Sequence, residues 1–585
     1  MSTAGRRVLL LGSFVFSQLV LLLILRMPVV PGEGSWLQAF RGYFSYDQLS
    51  YAAIASTAAA GDAGLPEPFT ETGHSYYPSL WYRILGWLSA LTGLSTPTIW
   101  TIAGYLLLAS SIAFIGYVAF RISNLPWAPA LIAPALLVGS LSIILHDYWY
   151  TTLDSHAVLW GPYGAIYVLN AEVAGFACVG SALAMILWAC LGANHSMRKR
   201  VVWLVGAAAL LGITANFHTY IFFLGAGVGF AWIGAYGLLR ARSRNLYIAT
   251  GVIVVATFVL GGPLAERVGA LPVYGLLILC TLPGLLWIAR SNVRVLLVPA
   301  IVFVITAAPQ AIIVASGILR KDAFLTYRQD VSSALGVPVW VALLASLPII
   351  ALWAVNVAVQ RRNRNDFVLG ALLGLAFACV MLTFNGAWGF GQEPYRFWIE
   401  SVTVSALVLG PVTAWSFAQR RAAPAGERST LITATAVAAV ILFALSLLDF
   451  GAFRVFVSNS GVIRFDTARY DALRELTTDV DGLMTTGPCL DPQETKIVTR
   501  KPIAFYNLGI AWPENKAAID VVLDAQRNGV FNPDAMRAAD VRYLVTDSAC
   551  ATQWPVDAAM GLVNVGARDY SDEMGSGTLT LWRVG

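Results

Sequence analysis

Charge is what this sequence lacks. Only 12% of its 585 residues are Asp, Glu, Lys or Arg, about half the roughly 25% of an ordinary soluble domain, so the chain cannot dress a large water-facing surface. Lysine is scarcest: Lys199, Lys321, Lys496, Lys501 and Lys516 are all of it, and arginine supplies the other basic groups. With the richness in Ala, Gly and Val, that usage suggests a GC-rich bacterial genome. Cysteine is sparse too. Cys178, Cys190, Cys280 and Cys379 lie in apolar runs and read as small core residues. Cys489 and Cys550 lie in polar sequence, and they would form a disulfide if that region faces away from the cytoplasm. There is no internal repeat and no low-complexity tract.

What the chain has instead is apolar length. It is 57% hydrophobic with a mean hydropathy of +0.68, and runs near 20 residues recur from Val8 to Phe450, each enough to cross a bilayer. We place about thirteen spans near 8–30, 98–120, 125–145, 171–193, 201–217, 219–239, 246–262, 272–289, 295–317, 338–358, 366–384, 398–418 and 430–450. The first follows Arg6-Arg7, is long, and has no small-residue cleavage site after it, so it reads as a retained span and not a signal peptide. With the N-terminus cytoplasmic, every second loop is basic: Arg121, HSMRKR at 195–200, RARSR at 240–244, RSNVR at 290–294, QRRNR at 360–364 and QRRAAPAGER at 419–428. That regularity is the positive-inside pattern of a multi-pass membrane protein, and it accounts for the net charge of +5 without a nucleic-acid partner. Residues 451–585 then emerge outside.

Two outer segments read as helices lying in the interface, Tyr76–Ser95, with Trp81, Tyr82 and Trp87 at headgroup level, and Asp47–Ala60. The last 135 residues alternate helical patterns at 467–482, 515–528 and 533–539 with strand-like runs at Lys496–Thr499, Val541–Thr546, Gly561–Val565 and Thr578–Val584. They predict a small α/β domain lacking a phosphate loop, a metal-spaced Cys/His cluster and a nucleophile motif. Its part would be accessory or acceptor-binding. The expected division is 1–450, membrane domain including an outer loop at 31–97, and 451–585, extracytoplasmic domain.

The chemistry concentrates between the first two spans, in RGYFSYDQLSYAAIASTAAAGDAGLPEPFTETGHSYYPSLWYR at 41–83. Asp47 sits where a first-turn carboxylate would favour the helix dipole, or where a carboxylate at a partly desolvated surface would serve as a base toward a hydroxyl. Glu71 and His74 are either loop residues or partners of a substrate, as are the aromatic faces of Tyr77 and Trp81. Two later outer loops carry arginines against the positive-inside trend, RKDAFLTYRQD at 320–330 and NGAWGFGQEPYRFWIE at 385–400. Their Arg328, Glu393, Tyr395 and Arg396 are candidate substrate contacts, with Arg396 either snorkelling or gripping a phosphate. His146, Asp147, Asp154 and His156 match no dedicated metal spacing, so no cofactor is assigned, and a divalent cation is an option without a motif. His218 reads as a buried, hydrogen-bonded histidine.

The stretches YFSYDQLSYAAIA and SYYPSLWYRILGWLSALTG, with an early acidic residue and an aromatic-Pro-x-aromatic run before an interfacial helix, resemble the GT-C superfamily of integral-membrane glycosyltransferases. Among them they look most like actinobacterial enzymes that use polyprenyl-phosphate sugars, such as the arabinofuranosyltransferases of cell-wall arabinan. The sequence likeness covers mainly residues 43–95, and the paired acidic motif of several members is absent. The resemblance implies a GT-C membrane domain in the bacterial plasma membrane and an inverting transfer of arabinofuranose or mannose from a lipid donor to a glycan or glycolipid acceptor. By position Asp47 would be the base. Two other readings stay open, a flippase or transporter of a lipid-linked or polar substrate and a structural subunit of an envelope complex. Spans nearly free of charge favour surface chemistry over transport.

Overall fold

The computed structural model describes residues 2–25, 39–41, 45–61, 64–137, 141, 161–192, 196–332, 336, 338–363, 365–422, 430–458, 462–550, 552, 554, 561–572 and 575–585. The chain divides into two compact units, one of Met1–Pro28 with Gly104–Asn459 and one of Val29–Ala103 with Ser460–Gly585.

The first unit is helical. Counting a helix shared with the second unit, Thr96–Ser123, ten helices among the described residues are long and apolar enough to cross a membrane. An eleventh is the bent pair Val339–Ala345 and Leu347–Arg362 if it counts as one span. The protein is therefore a multi-pass membrane protein. The expected count of about thirteen exceeds this for identifiable reasons. Met197–Ile213 is 17 residues long, at the lower end of what a crossing needs. Ala128–Leu137 is shorter still, and the rest of the 125–145 run lies mostly outside the described residues. The bent pair turns by 70° at Ser346, whose hydroxyl accepts a 2.8 Å bond from the Trp398 indole.

The 50 residues Ala270–Leu319 are helical throughout, with Pro283, Pro299 and Pro309 inside, where two spans joined at Arg290–Arg294 were expected. About 75 Å of straight helix would overrun any bilayer. Packing along Thr219–Ala241 resolves the matter. Tyr274 lies 4.5 Å from Phe223 between ring centres, Gly284 abuts Gly234 and Gly237 further along, and Phe303 returns to Phe222 at 5.7 Å. The run therefore reverses and forms two antiparallel spans, as the basic sequence between them requires. At Gly234 a Cβ would meet the Thr281 carbonyl at 2.8 Å, and at Gly284 it would meet the Gly234 carbonyl at 1.9 Å. Such backbone proximity is what small residues allow between membrane helices.

The second unit joins residues Val29–Ala103 to the C-terminal segment Ser460–Gly585, a long-range pairing that local sequence patterns do not encode. Residues Ala39–Arg41 pair antiparallel with Val462–Arg464. A four-stranded sheet has the order Leu483–Thr486, Val541–Asp547, Gly575–Val584, Leu562–Asp572, its first pair parallel and the others antiparallel. Lys516–Arg527 and Pro533–Ala538 cover it through Ile519, Val522, Leu523 and Met536. The strand expected at Lys496–Thr499 is instead the end of a helix, Pro492–Thr499. Asp491 caps it by accepting the amides of Gln493 and Glu494, with Pro492 in the first turn, and that start signal overrides the β-branched run. Cys489 and Cys550 are bridged, with Cα atoms 5.5 Å apart.

Both segments expected to lie in the interface are helical, as Ser45–Ala59 and Leu80–Thr92. They pack so closely that a Cβ on Gly86 would stand 2.2 Å from the Ala55 carbonyl.

Candidate functional site

Two groups of polar residues stand out, one in each unit. In the second unit Asp47 is half-buried in the first turn of Ser45–Ala59. The start of that helix is held from the C-terminal segment. Gln493 Nε2 donates to the Tyr46 carbonyl at 2.8 Å and to Ser50 Oγ at 2.6 Å, and Asn507 Nδ2 donates to the same hydroxyl at 2.8 Å. Burial and the Asp47 charge push the Tyr46 phenol above its ordinary value. Tyr77, Tyr51, Tyr82 and Trp100 form a continuous stack, with ring centres 5.4, 5.0 and 5.4 Å apart. Trp81 is buried.

The loop between the two interfacial helices is built around Glu67, which is fully buried. Its carboxylate accepts the amides of Phe69 and Thr70 and the Thr70 hydroxyl. Desolvation dominates over these bonds and over Lys496, and lifts its pKa to about 7. Glu71 adopts a left-handed backbone, φ 60°, and pairs at 2.5 Å with Lys496, whose side chain has no exposure. His74 is exposed and forms an antiparallel bridge with Trp512. Asp47, Glu71, His74, Tyr77 and Trp81 thus belong to one unit, with Glu71 engaged in an ion pair that sequence alone did not foresee.

In the first unit the residues named from two separate loops converge. Glu393 precedes Pro394–Ala422 with φ 32°. The loop before it is clasped by Asn385, which donates to the Leu382 and Gln392 carbonyls at 2.8 and 2.9 Å and accepts the Gln392 amide at 2.9 Å. Glu393 receives Arg328 Nη2 at 2.7 Å, Arg396 Nε at 2.5 Å and the Tyr395 hydroxyl at 3.2 Å, and Tyr220 bonds to it as well. Burial alone would raise its pKa, but the two arginines outweigh burial and hold it below the usual carboxylate value. Arg396 lies over the Tyr220 ring at 5.3 Å and 4.0 Å from Glu172.

Of what surrounds this knot, sequence reasoning had only His218, as a buried and hydrogen-bonded histidine, and missed Glu172 and Glu400. Glu172 begins the helix Ala171–Leu191, capped by Asn170. His218 is buried and caps Thr219–Ala241 by accepting the Ile221 amide at Nδ1, 3.3 Å. Glu400 is one turn beyond Arg396. His218 lies 3.6 Å from Glu172 and 3.7 Å from Glu400. Ionisable residues at the ends of apolar spans were the available signal. Three helix starts, at Ala171, Thr219 and Pro394, therefore meet beside two arginines, with the positive ends of their dipoles turned toward one region. Such an arrangement can bind an anion. His146, Asp147, Asp154 and His156 lie outside the described residues.

No protein-family profile matches this sequence, and no curated protein matches it. Among solved structures the chain is similar to ArnT from Cupriavidus metallidurans bound to undecaprenyl phosphate, at 12% identity and a TM-score of 0.42, over 99% of this chain and 98% of that one. The apo state of the same protein gives 11% identity and a TM-score of 0.43 over the same shares.

Proposed function

We propose that the protein is an integral-membrane inverting glycosyltransferase that moves a sugar from a polyprenyl-phosphate donor to a cell-envelope glycan or glycolipid on the outer face of the membrane. Arabinofuranose and mannose are the sugars first to be tried. The observation that carries this reading is the convergence of Arg328 and Arg396 on Glu393 where three span helices begin. Two guanidinium groups fixed by a shared carboxylate are pre-oriented for a phosphodiester. As the lipid phosphate leaves, its charge grows, so donors fixed beforehand stabilise the transition state more than the ground state. Asp47, on a helix start braced by Gln493 and Asn507, is the proposed base. It takes the proton of the acceptor hydroxyl while the oxygen bonds to the anomeric carbon. The bond from that carbon to the phosphate oxygen breaks, and polyprenyl phosphate departs with the electron pair.

One observation favours a transporter instead: Glu172, Glu400 and the fully buried Asp449 lie on span helices, where carriers keep ionisable groups. Purified protein given a panel of polyprenyl-phosphate sugars and glycan acceptors separates the two. A transferase releases polyprenyl phosphate and elongates the acceptor, and a carrier leaves every donor intact.

A further inference from the structure

We propose that Glu172, His218 and Glu400 bind a divalent first-row cation such as Mn2+ or Zn2+. One ligand atom from each residue lies within 4.8 Å of the others. Glu400 supplies the independent reason. It is 2% exposed, and among the described residues neither carboxylate oxygen has a hydrogen-bond partner. The cost of burying a carboxylate is high without compensation. The positive charge nearest the cluster is Arg396, which reaches Glu172 at 4.0 Å but is held by Glu393 at 2.5 Å.

The donor set fits. Two carboxylates and an imidazole suit manganese or zinc more than calcium, which prefers oxygen ligands throughout. The 3.6 Å from His218 Nε2 to Glu172 Oε1 is near the edge of a coordination shell with ligand bonds of about 2.1 Å. A neutral imidazole offers one lone pair. Coordination through Nε2 puts the ring proton on Nδ1, which gives up the 3.3 Å bond from Ile221 and faces Glu400 Oε1 at 3.7 Å, leaving Oε2 of Glu400 to the cation. Glu172, at 15% side-chain exposure, leaves a way in. The charge balance links the site to its neighbours. Glu172, Glu393 and Glu400 against Arg328 and Arg396 leave a net negative charge, and a bound dication makes the group net positive beside the arginines. The cation would thereby convert the region into a better phosphate site. Its existence, though, stands on the ligand geometry and not on the transferase reading.

The test uses the full-length protein in detergent, stripped with EDTA, reloaded with Mn2+ or Zn2+ and gel-filtered. Metal content is read by mass spectrometry, and Mn2+ also by its EPR spectrum. We expect about one equivalent in the wild type and affinity lowered about tenfold or more in both Glu400→Gln and His218→Gln. Thermal unfolding should be shifted by EDTA in the wild type and not in Glu400→Gln. If a variant does not fold, the wild-type metal content and its EDTA shift decide the matter. Wild type that retains no metal, or variants that retain it unchanged, would overturn the site. Because no turnover is measured, this outcome is independent of whether the protein transfers sugar.

Discussion

Glu67 and Glu400 are both carboxylates removed from water, one in each unit, and they are provided for in opposite ways. Around Glu67 the chain supplies two amides and a hydroxyl within four residues, and nearby Lys496 is matched by Glu71. Around Glu400 no donor is supplied among the described residues, while its neighbour Glu393 gathers two arginines and a tyrosine. A buried charge with its partners built in locally holds a loop together. A buried charge left short, beside one with more partners than it needs, marks a place prepared for something else.

Asp47 would break the comparison most sharply, because it belongs to the well-provided unit yet is assigned chemistry. Asp47→Asn should lower transfer by about two to four orders of magnitude and leave expression and donor binding nearly unchanged. If more than about a tenth of the turnover persisted, Asp47 would revert to a helix-dipole role like the other polar groups of its unit.

Glu71 sharpens the same contrast. Removing it takes from the buried Lys496 the carboxylate that lies 2.5 Å away, so Glu71→Ala should destabilise the protein by about 3 kcal/mol. Adding Lys496→Met should restore most of that loss, as apolar replacement of a buried pair often does. Denaturation midpoints of the single and double variants check this. No loss in the single variant would return Glu71 to the list of substrate contacts.

A smaller effect is expected from pH. Glu67 is raised from 4.5 in the unfolded chain to about 7 in the fold, so the folded state holds a proton that the unfolded state has released between those values. Its contribution to stability is complete below 4.5 and declines as pH rises toward 7, by about 3 kcal/mol at most at 1.36 kcal/mol per unit. Unfolding of wild type and Glu67→Gln compared across that window should show the difference between them narrowing as pH rises. A difference that stays constant with pH would mean Glu67 is already ionised in the fold.

Much of the fold was legible because membrane spans are written in long apolar runs and alternate basic loops. Even where residues Ala270–Leu319 are helical throughout, RSNVR at 290–294 located the reversal. Arg328 and Arg396 were legible as cations in loops where the alternation of basic loops predicts none. Glu172 and Glu400 were not, since each is a single ionisable residue at the end of an apolar run, and only packing brings them to His218. The strand Leu483–Thr486 is four residues long and pairs in parallel with Val541–Asp547, a partnership sequence periodicity does not record. The union of residues 29–103 with 460–585 is equally non-local. Lys496–Thr499 was misread because KIVT favours strand, while the Asp491-Pro492 start signal lay just upstream.

The account rests on the phosphate grip of the under-provided region, and the most direct measurement is the affinity of purified protein for polyprenyl phosphate. Arg396→Ala should weaken binding by about 2–5 kcal/mol, with Arg396→Lys intermediate because it keeps charge but loses the planar fork. Glu71→Gln, in the well-provided unit, should bind like wild type. Unchanged affinity in Arg396→Ala, or an equal loss in Glu71→Gln, would contradict the assignment of the grip to that cluster.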